Sequence, residues 1–247
     1  MSQKTALVTG GLGGLGSAIC ERLGRAGHAV VTTYTSDKGR VAQWREHMQG
    51  CGAPSAYAAQ CDVSDWDSCA AMAEEVRSQV GEVDILVNNA GITQDSSFKK
   101  MSHEGWDQVL RTNLDSVFNV TKQFADGMAE RGWGRIINVA SVNGRKGQFG
   151  QCNYAASKAG MHGFTMSLAR EMARKGVTVN TVSPGYLATD MVMDMKEEVR
   201  QQIIETIPVQ RLGEPDEIGS LIAYLASEDA GFITGANVDI NGGLHME

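Results

Sequence analysis

The stretch that decides the fold reads TALVTGGLGGLG and runs from residue 5 to residue 16. Its first part is a β-branched run typical of a strand, its second part is a glycine turn, and a helical pattern begins at about residue 14. Such a turn brings backbone N–H groups and the positive end of a helix dipole to one point, which suits a diphosphate. Side chains would block this approach, so we expect nucleotide contacts from Gly10, Leu12, Gly13, Gly14, Leu15 and Gly16. The alternative is that these glycines only allow the strand and the helix to pack closely.

The same alternation of short β-branched runs and longer helical stretches continues along the chain. The predicted strands cover residues 5–9, 29–34, 55–60, 84–88, 135–139, 178–182 and 237–240. The predicted helices cover residues 14–26, 38–50, 66–80, 104–130, 154–175, 196–206 and 214–227, with Ser64 as a cap for the third. No linker or repeat divides the chain. We therefore predict an α/β fold, a single Rossmann-type domain over residues 1–247 whose doubly wound parallel sheet has about seven strands flanked by helices.

Composition excludes several other classes of protein. The 247 residues carry a formal charge of −7 with no dense basic run, which argues against binding to nucleic acid. No stretch approaches the ~18 apolar residues of a membrane-spanning helix, and the first residues lead too quickly into a strand for a secretory leader. The five cysteines form no C-x-x-C pair and no His/Cys spacing typical of a metal site. We expect a cytoplasmic protein with reduced thiols and no metal, and we expect His28, His47, His103 and His245 at the surface.

The end of the second predicted strand bears on the choice of nucleotide. An acidic residue there would bind the ribose hydroxyls of NAD and repel the extra phosphate of NADP. Asp37 has nearly the expected spacing, but we expect it beyond the strand end, and its neighbours Lys38 and Arg40 are basic. A guanidinium binds a phosphate with two parallel hydrogen bonds, so Arg40 is the candidate for the 2′-phosphate, with Thr35 beside it. The alternative is a solvated loop arginine.

A second group of residues suggests chemistry on a carbonyl. Tyr154 and Lys158 lie four residues apart in a helical stretch and so face the same side. An ammonium one turn away, together with a cationic nicotinamide, would lower the pKa of the phenol and let it act as a general acid. Ser141 follows the strand 135–139, at the edge of a doubly wound sheet where ligands bind. Asn113 lies in a long helix, where a buried amide needs partners such as an ordered water.

Taken together, these motifs resemble the short-chain dehydrogenase/reductase family over the whole chain. The matching residues are Thr9, Gly10, Gly14, Gly16, Asn88, Asn89, Ala90, Gly91, Asn113, Ser141, Tyr154, Lys158, Pro184 and Gly185. The resemblance implies a nicotinamide-dependent oxidoreductase, usually a homotetramer. It implies Tyr154 as proton donor, Lys158 on the cofactor ribose and Ser141 on the substrate carbonyl. It also implies Asn113 on a proton-relay water, and cofactor contacts from Asp62 and Val63 as well as from the motif residues.

Within that family the chain looks most like the acetoacetyl-CoA reductases, which use NADPH and feed polyhydroxybutyrate synthesis. The similarity lies in residues 88–93 with Asp95, 132–135, 142–144, 146–151 and 241–246, and it departs at Ala140 and Cys152. It implies a substrate pocket formed by Asp95, Ser141, Gln148, Phe149, Gly150, Gln151, Tyr154, Gly185 and Tyr186. A cofactor half over about residues 1–140 would precede a substrate half over about 141–247, with a closing lid over about 186–206.

Two other functions stay open at this point. A 3-oxoacyl-acyl-carrier-protein reductase would do the same chemistry on a protein-borne substrate. Its acidic carrier protein would favour basic residues near the entrance, and Lys99, Lys100, Lys122, Arg131 and Lys146 do not cluster in the sequence. A non-catalytic NADP-sensing module would be expected to lack reacting residues, whereas Ser141, Tyr154 and Lys158 are all present.

Overall fold

The computed structural model describes residues 3–37 and 39–247. Its centre is a sheet of seven parallel strands: β1 (Thr5–Val8), β2 (Ala29–Tyr34), β3 (Ala56–Gln60), β4 (Ile85–Asn88), β5 (Gly134–Val139), β6 (Val177–Pro184) and β7 (Asn237–Ile240). The spatial order is β3-β2-β1-β4-β5-β6-β7, so the winding direction reverses between β1 and β4. The predicted Rossmann-type fold is confirmed. A reversal of this kind opens a crevice at the carboxyl ends of the strands, where ligands bind.

Helices cover both faces of the sheet. They are α1 (Gly14–Arg25), α2 (Arg40–Gly50), α3 (Trp66–Gln79), α4 (His103–Leu110), α5 (Ser116–Glu130), α6 (Asn143–Lys146), α7 (Cys152–Met172), α8 (Asp190–Met193), α9 (Glu197–Thr206) and α10 (Pro215–Ala226). A π-helical turn, Arg111–Asp115, joins α4 to α5. Short 3₁₀ turns occupy Phe98–Lys100 and Ala173–Lys175. The predicted boundaries are closely matched, but α6, α8 and the first 3₁₀ turn were not predicted from the sequence.

The core lies in two apolar layers because strands buried on both faces place alternate side chains above and below the sheet. On one face, Ile19 of α1 and Ile222 of α10 pack against the sheet. On the other, Val76 of α3, Phe124 of α5 and Met172 of α7 do the same. Within the described ranges we find no helix of the length and apolar character needed to span a bilayer.

Three local predictions need comment. Ser64 does not cap α3: the cap is Asp65, whose carboxylate accepts the backbone N–H of Ser68 at 2.6 Å. An aspartate in the last position before the helix competes better for this N–H than a serine one residue further away. His28 is buried rather than at the surface, because the chain enters β2 directly from α1 at this point. Lys38, which the sequence analysis counted among the basic neighbours of Asp37, lies outside the described residues.

Candidate functional site

The glycine turn after β1 is packed so tightly that one of its positions must be glycine. A Cβ on Gly16 would lie 2.3 Å from the carbonyl oxygen of Gly10. Gly10 itself has φ +70°, a left-handed conformation that side chains disfavour. Hydroxyls of the neighbouring strand β2 hold the turn in place, since the Gly11 N–H donates to Thr32 Oγ1 at 2.7 Å. Close packing within the turn therefore explains the glycines at Gly10 and Gly16, but it does not account for the whole motif.

Gly13 and Gly14, which lie between Gly10 and Gly16, face open space. A Cβ on Gly13 or on Gly14 would meet no described heavy atom within 4 Å. Among the described residues, no side chain caps the start of α1 and no acid lies in its first turn. The first N–H groups of α1 are therefore free to bind an anion, and the helix dipole favours one. Glycine here leaves room for a ligand rather than for a neighbouring part of the chain.

A cavity of about 900 Å³ opens at this turn. Most of the predicted cofactor contacts line it: Gly10, Leu12, Gly13, Gly14, Leu15, Gly16, Thr35, Arg40, Asp62, Val63, Asn89, Ala90 and Gly91. Residues that were not predicted as cofactor contacts also line it: Thr33, Tyr34, Cys61, Ser64, Ile92, Gln108, Thr112, Thr189 and Asp190. The cavity has the volume and the uncapped helix end that a dinucleotide requires. The residues present therefore fit a nicotinamide dinucleotide.

Thr9 ties the glycine turn to the loop after β4. Its hydroxyl oxygen accepts the backbone N–H groups of both Asn89 and Ala90 at 2.9 Å. The Asn89 amide in turn donates to the carbonyl oxygen of Thr9 at 3.0 Å. Asn88 points elsewhere, because its amide is buried and donates to Thr121 and Asn138. Asn88 thus supports the sheet, while the next residue along the chain lies on the cavity wall.

The region after β2 contains Asp37 and Arg40, the two charged residues that bear on the choice between NAD and NADP. Strand β2 ends at Tyr34, so Asp37 lies beyond the strand end as expected. Its carboxylate is engaged at the start of α2, where Oδ1 accepts the backbone N–H of Val41 at 2.9 Å. Arg40, the first residue of α2, is exposed, and it lines the cavity beside Thr35. The acid thereby accepts a backbone N–H of α2, whereas Arg40 lines the cavity, with its guanidinium donating to the Ser36 carbonyl at 3.4 Å.

Ser141 lies at the carboxyl edge of the sheet, held from both sides. The N–H of Ala140 donates to the carbonyl oxygen of Val182 in β6 at 2.8 Å, and the N–H of Val142 donates to that of Pro184 at 2.8 Å. These two bonds keep the backbone on either side of Ser141 in the sheet after β5 has ended. Its own hydroxyl oxygen accepts the backbone N–H of Asn143 at 3.1 Å, at the start of α6.

Tyr154, in the first turn of α7, lies close to this serine. Burial raises the pKa of the Tyr154 hydroxyl, the hydroxyl of Ser141 opposes the rise, and the charge of Asp95 adds to it. The net direction is opposite to the one expected from the Tyr-x-x-x-Lys spacing. The raised pKa means that the hydroxyl keeps its proton at neutral pH.

Lys158 lies one turn further along α7 and is buried. Its Nζ donates to the carbonyl oxygen of Val139 at 2.8 Å and lies 5.7 Å from the ring centroid of Tyr154. Burial lowers the pKa of Lys158 to about 8. The two side chains share one face, as predicted, but in this structure the ammonium does not offset the effect of burial on the tyrosine. Gly144 of α6 packs directly on this turn, since a Cβ there would lie 2.9 Å from the Lys158 backbone.

Asn113 lies in the π-helical turn and is fully buried. Its amide accepts the backbone N–H of Ile92 at 2.8 Å and donates to the Ile92 carbonyl at 3.0 Å and to Ser157 at 3.2 Å. A Cβ on Gly91 would lie 3.2 Å from Asn113 Oδ1 and 3.5 Å from Lys158 Nζ. The side chain therefore links the loop after β4 to α7, and its partners are protein groups. Single π turns are frequent at functional sites.

A chain of amide contacts connects the serine to the predicted substrate residues. Asn143 donates to Gln151 at 2.9 Å, and Gln151 donates to both carboxylate oxygens of Asp95 at 3.0 and 2.9 Å. Asn143 was not among the predicted site residues, although it lies only two residues beyond Ser141. The chain orients Gln151 and Asp95 next to Tyr154, whose pKa responds to Asp95.

The other predicted substrate residues surround two smaller cavities. One of about 360 Å³ is lined by Gln148 and Tyr186 together with Val199, Ile203 and other residues of α9. The second, of about 200 Å³, is lined by Gly185 and by Tyr186 again. Phe149 is 89% exposed, so in this structure it provides no closed wall. Gly150 accepts the backbone N–H of Ser96 at 2.8 Å, which joins its loop to the loop of Asp95. Pro184 ends β6 and lines none of these cavities.

A family model described as short chain dehydrogenase matches residues 4–200. The chain belongs to this family. Short chain dehydrogenases are oxidoreductases that use nicotinamide cofactors, which agrees with the cavity at the glycine turn. The family assignment and the fold prediction from the sequence are both confirmed.

Individual relatives within the short chain dehydrogenase family are similar over the full length of both chains. The chain is 56% identical to the acetoacetyl-CoA reductase of Cupriavidus necator over 246 residues, with 100% of each chain covered. It is 54% identical to nodulation protein G of Azospirillum brasilense over 247 residues, again with 100% of each covered. It is 42% identical to the 3-oxoacyl-(acyl-carrier-protein) reductase of Haemophilus influenzae over 246 residues, also with 100% of each covered.

Proposed function

We propose that the protein is an NADPH-dependent reductase that converts acetoacetyl-CoA to (R)-3-hydroxybutyryl-CoA for polyhydroxybutyrate synthesis. The observation that carries the proposal is the position of Ser141 at the carboxyl edge of the sheet that also forms the cofactor cavity, with Tyr154 close enough for the serine hydroxyl to oppose the rise in its pKa. Higher identity to acetoacetyl-CoA reductases than to the carrier-protein reductase supports the choice of substrate.

Tyr154 is the proton donor of the proposed reaction. NADPH, when bound, supplies the hydride. Ser141 donates a hydrogen bond to the substrate carbonyl and holds it beside the tyrosine, and the tyrosine hydroxyl then passes its proton to the forming alkoxide. The raised pKa of Tyr154 suits this direction, because the hydroxyl enters the reaction protonated.

Lys158 and Asn113 support the function of Tyr154. The ammonium of Lys158 would hold the cofactor ribose; in this structure it donates to the carbonyl oxygen of Val139. Asn113 keeps the loop after β4 at the right distance from α7, because its side-chain amide bonds to both Ile92 and Ser157; its place on a proton-relay water stays a prediction. Both roles require the buried side chains of Lys158 and Asn113 to keep their positions relative to Tyr154.

Cofactor selectivity is assigned to Arg40. Arg40 lines the cavity, while the nearby carboxylate of Asp37 accepts a backbone N–H of α2. Arg40→Gln should lower the preference for NADPH over NADH by about 10- to 100-fold, the value of one charge-assisted contact. Arg45→Gln is the matched control, because Arg45 is on the same helix but stacks over Tyr57. An unchanged preference in Arg40→Gln would remove this assignment.

The substrate is tested by direct competition between carriers. The purified protein should oxidise NADPH with a higher kcat/KM for acetoacetyl-CoA than for the acetoacetyl thioester of acyl carrier protein. The reverse ranking would make it a carrier-protein reductase. Turnover of neither substrate, with NADPH binding retained, would favour the sensing module. The lid over residues 186–206, the two halves of the chain, the homotetramer and the cytoplasmic location stay predictions.

A further inference from the structure

A cluster of metal-binding side chains lies away from the cofactor cavity, where α1 packs against the end of α2. Glu21 is on the outer side of α1, His47 is in the last turn of α2, and Cys51 follows the end of α2. Their ligand atoms all lie within 4.8 Å of one another. His47 Nε2 is 3.0 Å from Glu21 Oε2 and 3.5 Å from Cys51 Sγ.

These distances fit a tetrahedral metal. Metal–ligand bonds of about 2.0–2.3 Å at tetrahedral angles place neighbouring ligand atoms about 3.3–3.6 Å apart. The observed imidazole–carboxylate and imidazole–thiol separations need changes of only a few tenths of an ångström to reach these values. A thiolate, an imidazole and a carboxylate are the donor set that zinc prefers, and the outward position of the cluster leaves a fourth place for water.

The backbone holds the three ligands close together before any metal arrives. A Cβ on Gly24 would lie 2.7 Å from Ala53 Cβ and 3.1 Å from Met48 Cε, so α1 and the segment after α2 are in close contact. The backbone N–H of Cys51 donates to the carbonyl of His47 at 3.0 Å, which sets the thiol one turn after the imidazole. Ligands on packed helices need little ordering when the metal binds.

The surrounding charges also favour a cation. His47 and Cys51 lie at the carboxyl end of α2, the negative end of its dipole. The other oxygen of Glu21 pairs with Arg25, which orients the carboxylate but competes for its charge. Glu21 and His47 are 26 residues apart, so no short sequence spacing indicates this group.

We propose that Glu21, His47 and Cys51 bind one zinc-class divalent cation, with water as the fourth ligand. The thiol gives up its proton when the metal binds. The metal then joins α1 to α2 at the ends opposite those that carry the glycine turn and Arg40. Because the metal binds the folded chain, it raises the thermal unfolding temperature.

The experiment titrates the metal-free protein with Co²⁺ and then displaces the cobalt with Zn²⁺. We expect one equivalent to bind with a thiolate-to-cobalt charge-transfer band and with the visible bands of a tetrahedral site. Cys51→Ser should abolish the charge-transfer band, and His47→Gln should weaken binding by more than about ten-fold. Cys152→Ser, which removes another accessible thiol, should leave both unchanged. Arg25→Gln should tighten binding, because it frees the Glu21 carboxylate.

Three results would overturn the proposal. The first is the absence of a thiolate band when wild-type protein is saturated with Co²⁺. The second is a band that survives in Cys51→Ser, and the third is a band lost equally in Cys152→Ser. Since His47 is exposed on the helix surface, His47→Gln should fold normally, and its circular dichroism spectrum checks this independently of the metal.

Discussion

Replacing Lys158 by methionine should remove a pH dependence from the stability of the protein. Lys158 is only 3% exposed, and its Nζ donates to the Val139 carbonyl. Burial disfavours the charged form and lowers the pKa of Lys158 from 10.5 to about 8. The ammonium therefore weakens the folded state at every pH at which it is charged. Methionine has a similar length and carries no charge.

The size of the effect follows from the two pKa values. Below pH 8 both the folded and the unfolded chain hold the proton, and burial lowers the free energy of unfolding by about 3 kcal/mol, at ~1.4 kcal/mol per pKa unit. Above pH 8 the folded state loses the proton first, so stability rises until the unfolded lysine also titrates near 10.5. Between about pH 7 and about pH 9.5 the wild type should gain about 2 kcal/mol from this group.

The assay is equilibrium unfolding in urea at both pH values and at one fixed protein concentration. Wild type and Lys175→Met, which removes an exposed lysine, should show the same change between the two pH values. Lys158→Met should differ from them by about 2 kcal/mol, because its thiols and tyrosines titrate as in wild type while the buried ammonium is gone. Equal changes in all three proteins would show that Lys158 is not charged and buried as described.

Three further predictions follow from single contacts. Tyr154→Phe should lower turnover by about 100-fold or more while NADPH binding, followed by fluorescence, is retained; substantial residual activity would contradict its role as proton donor. Gly16→Ala should destabilise the protein by about 1–3 kcal/mol and weaken NADPH binding, because its Cβ would lie 2.3 Å from a carbonyl oxygen of the turn. Asp65→Ala should lower the free energy of unfolding by about 1 kcal/mol, since the N–H of Ser68 loses its acceptor; Ser64→Ala is the control and should have little effect.

Much of this architecture is readable from the sequence because its signals are local. The strands are short apolar runs with turn residues on either side, and the structure places their ends within two residues of the predicted positions. The glycine turn is equally local, since Gly16 must avoid Gly10 and Gly13 must leave room for a ligand. The positions of Ser141, Tyr154 and Lys158 are also readable from the sequence, because Ser141 closely follows a strand and the other two residues lie four positions apart on one helix.

Other features depend on contacts that spacing does not report. Asn113 was expected to need a water, but the chain itself supplies partners through Ile92 and Ser157, which are distant in sequence. The short helix α6 forms where Asn143 bonds back to Ser141, and four residues carry too little periodicity to be recognised. His28 carries a polar ring into the core because of the sharp entry from α1 into β2.

The opposite pKa shifts of Tyr154 and Lys158 share the same largest cause, burial, which the spacing of the two residues cannot reveal. Burial disfavours whichever form is charged, so it raises the pKa of the phenol and lowers the pKa of the ammonium. A proton donor must hold its proton until hydride transfer begins, and a raised pKa ensures this. Lys158, with a pKa of about 8, is still mostly charged at neutral pH, so its ammonium is available for the proposed role on the cofactor ribose while the tyrosine remains protonated.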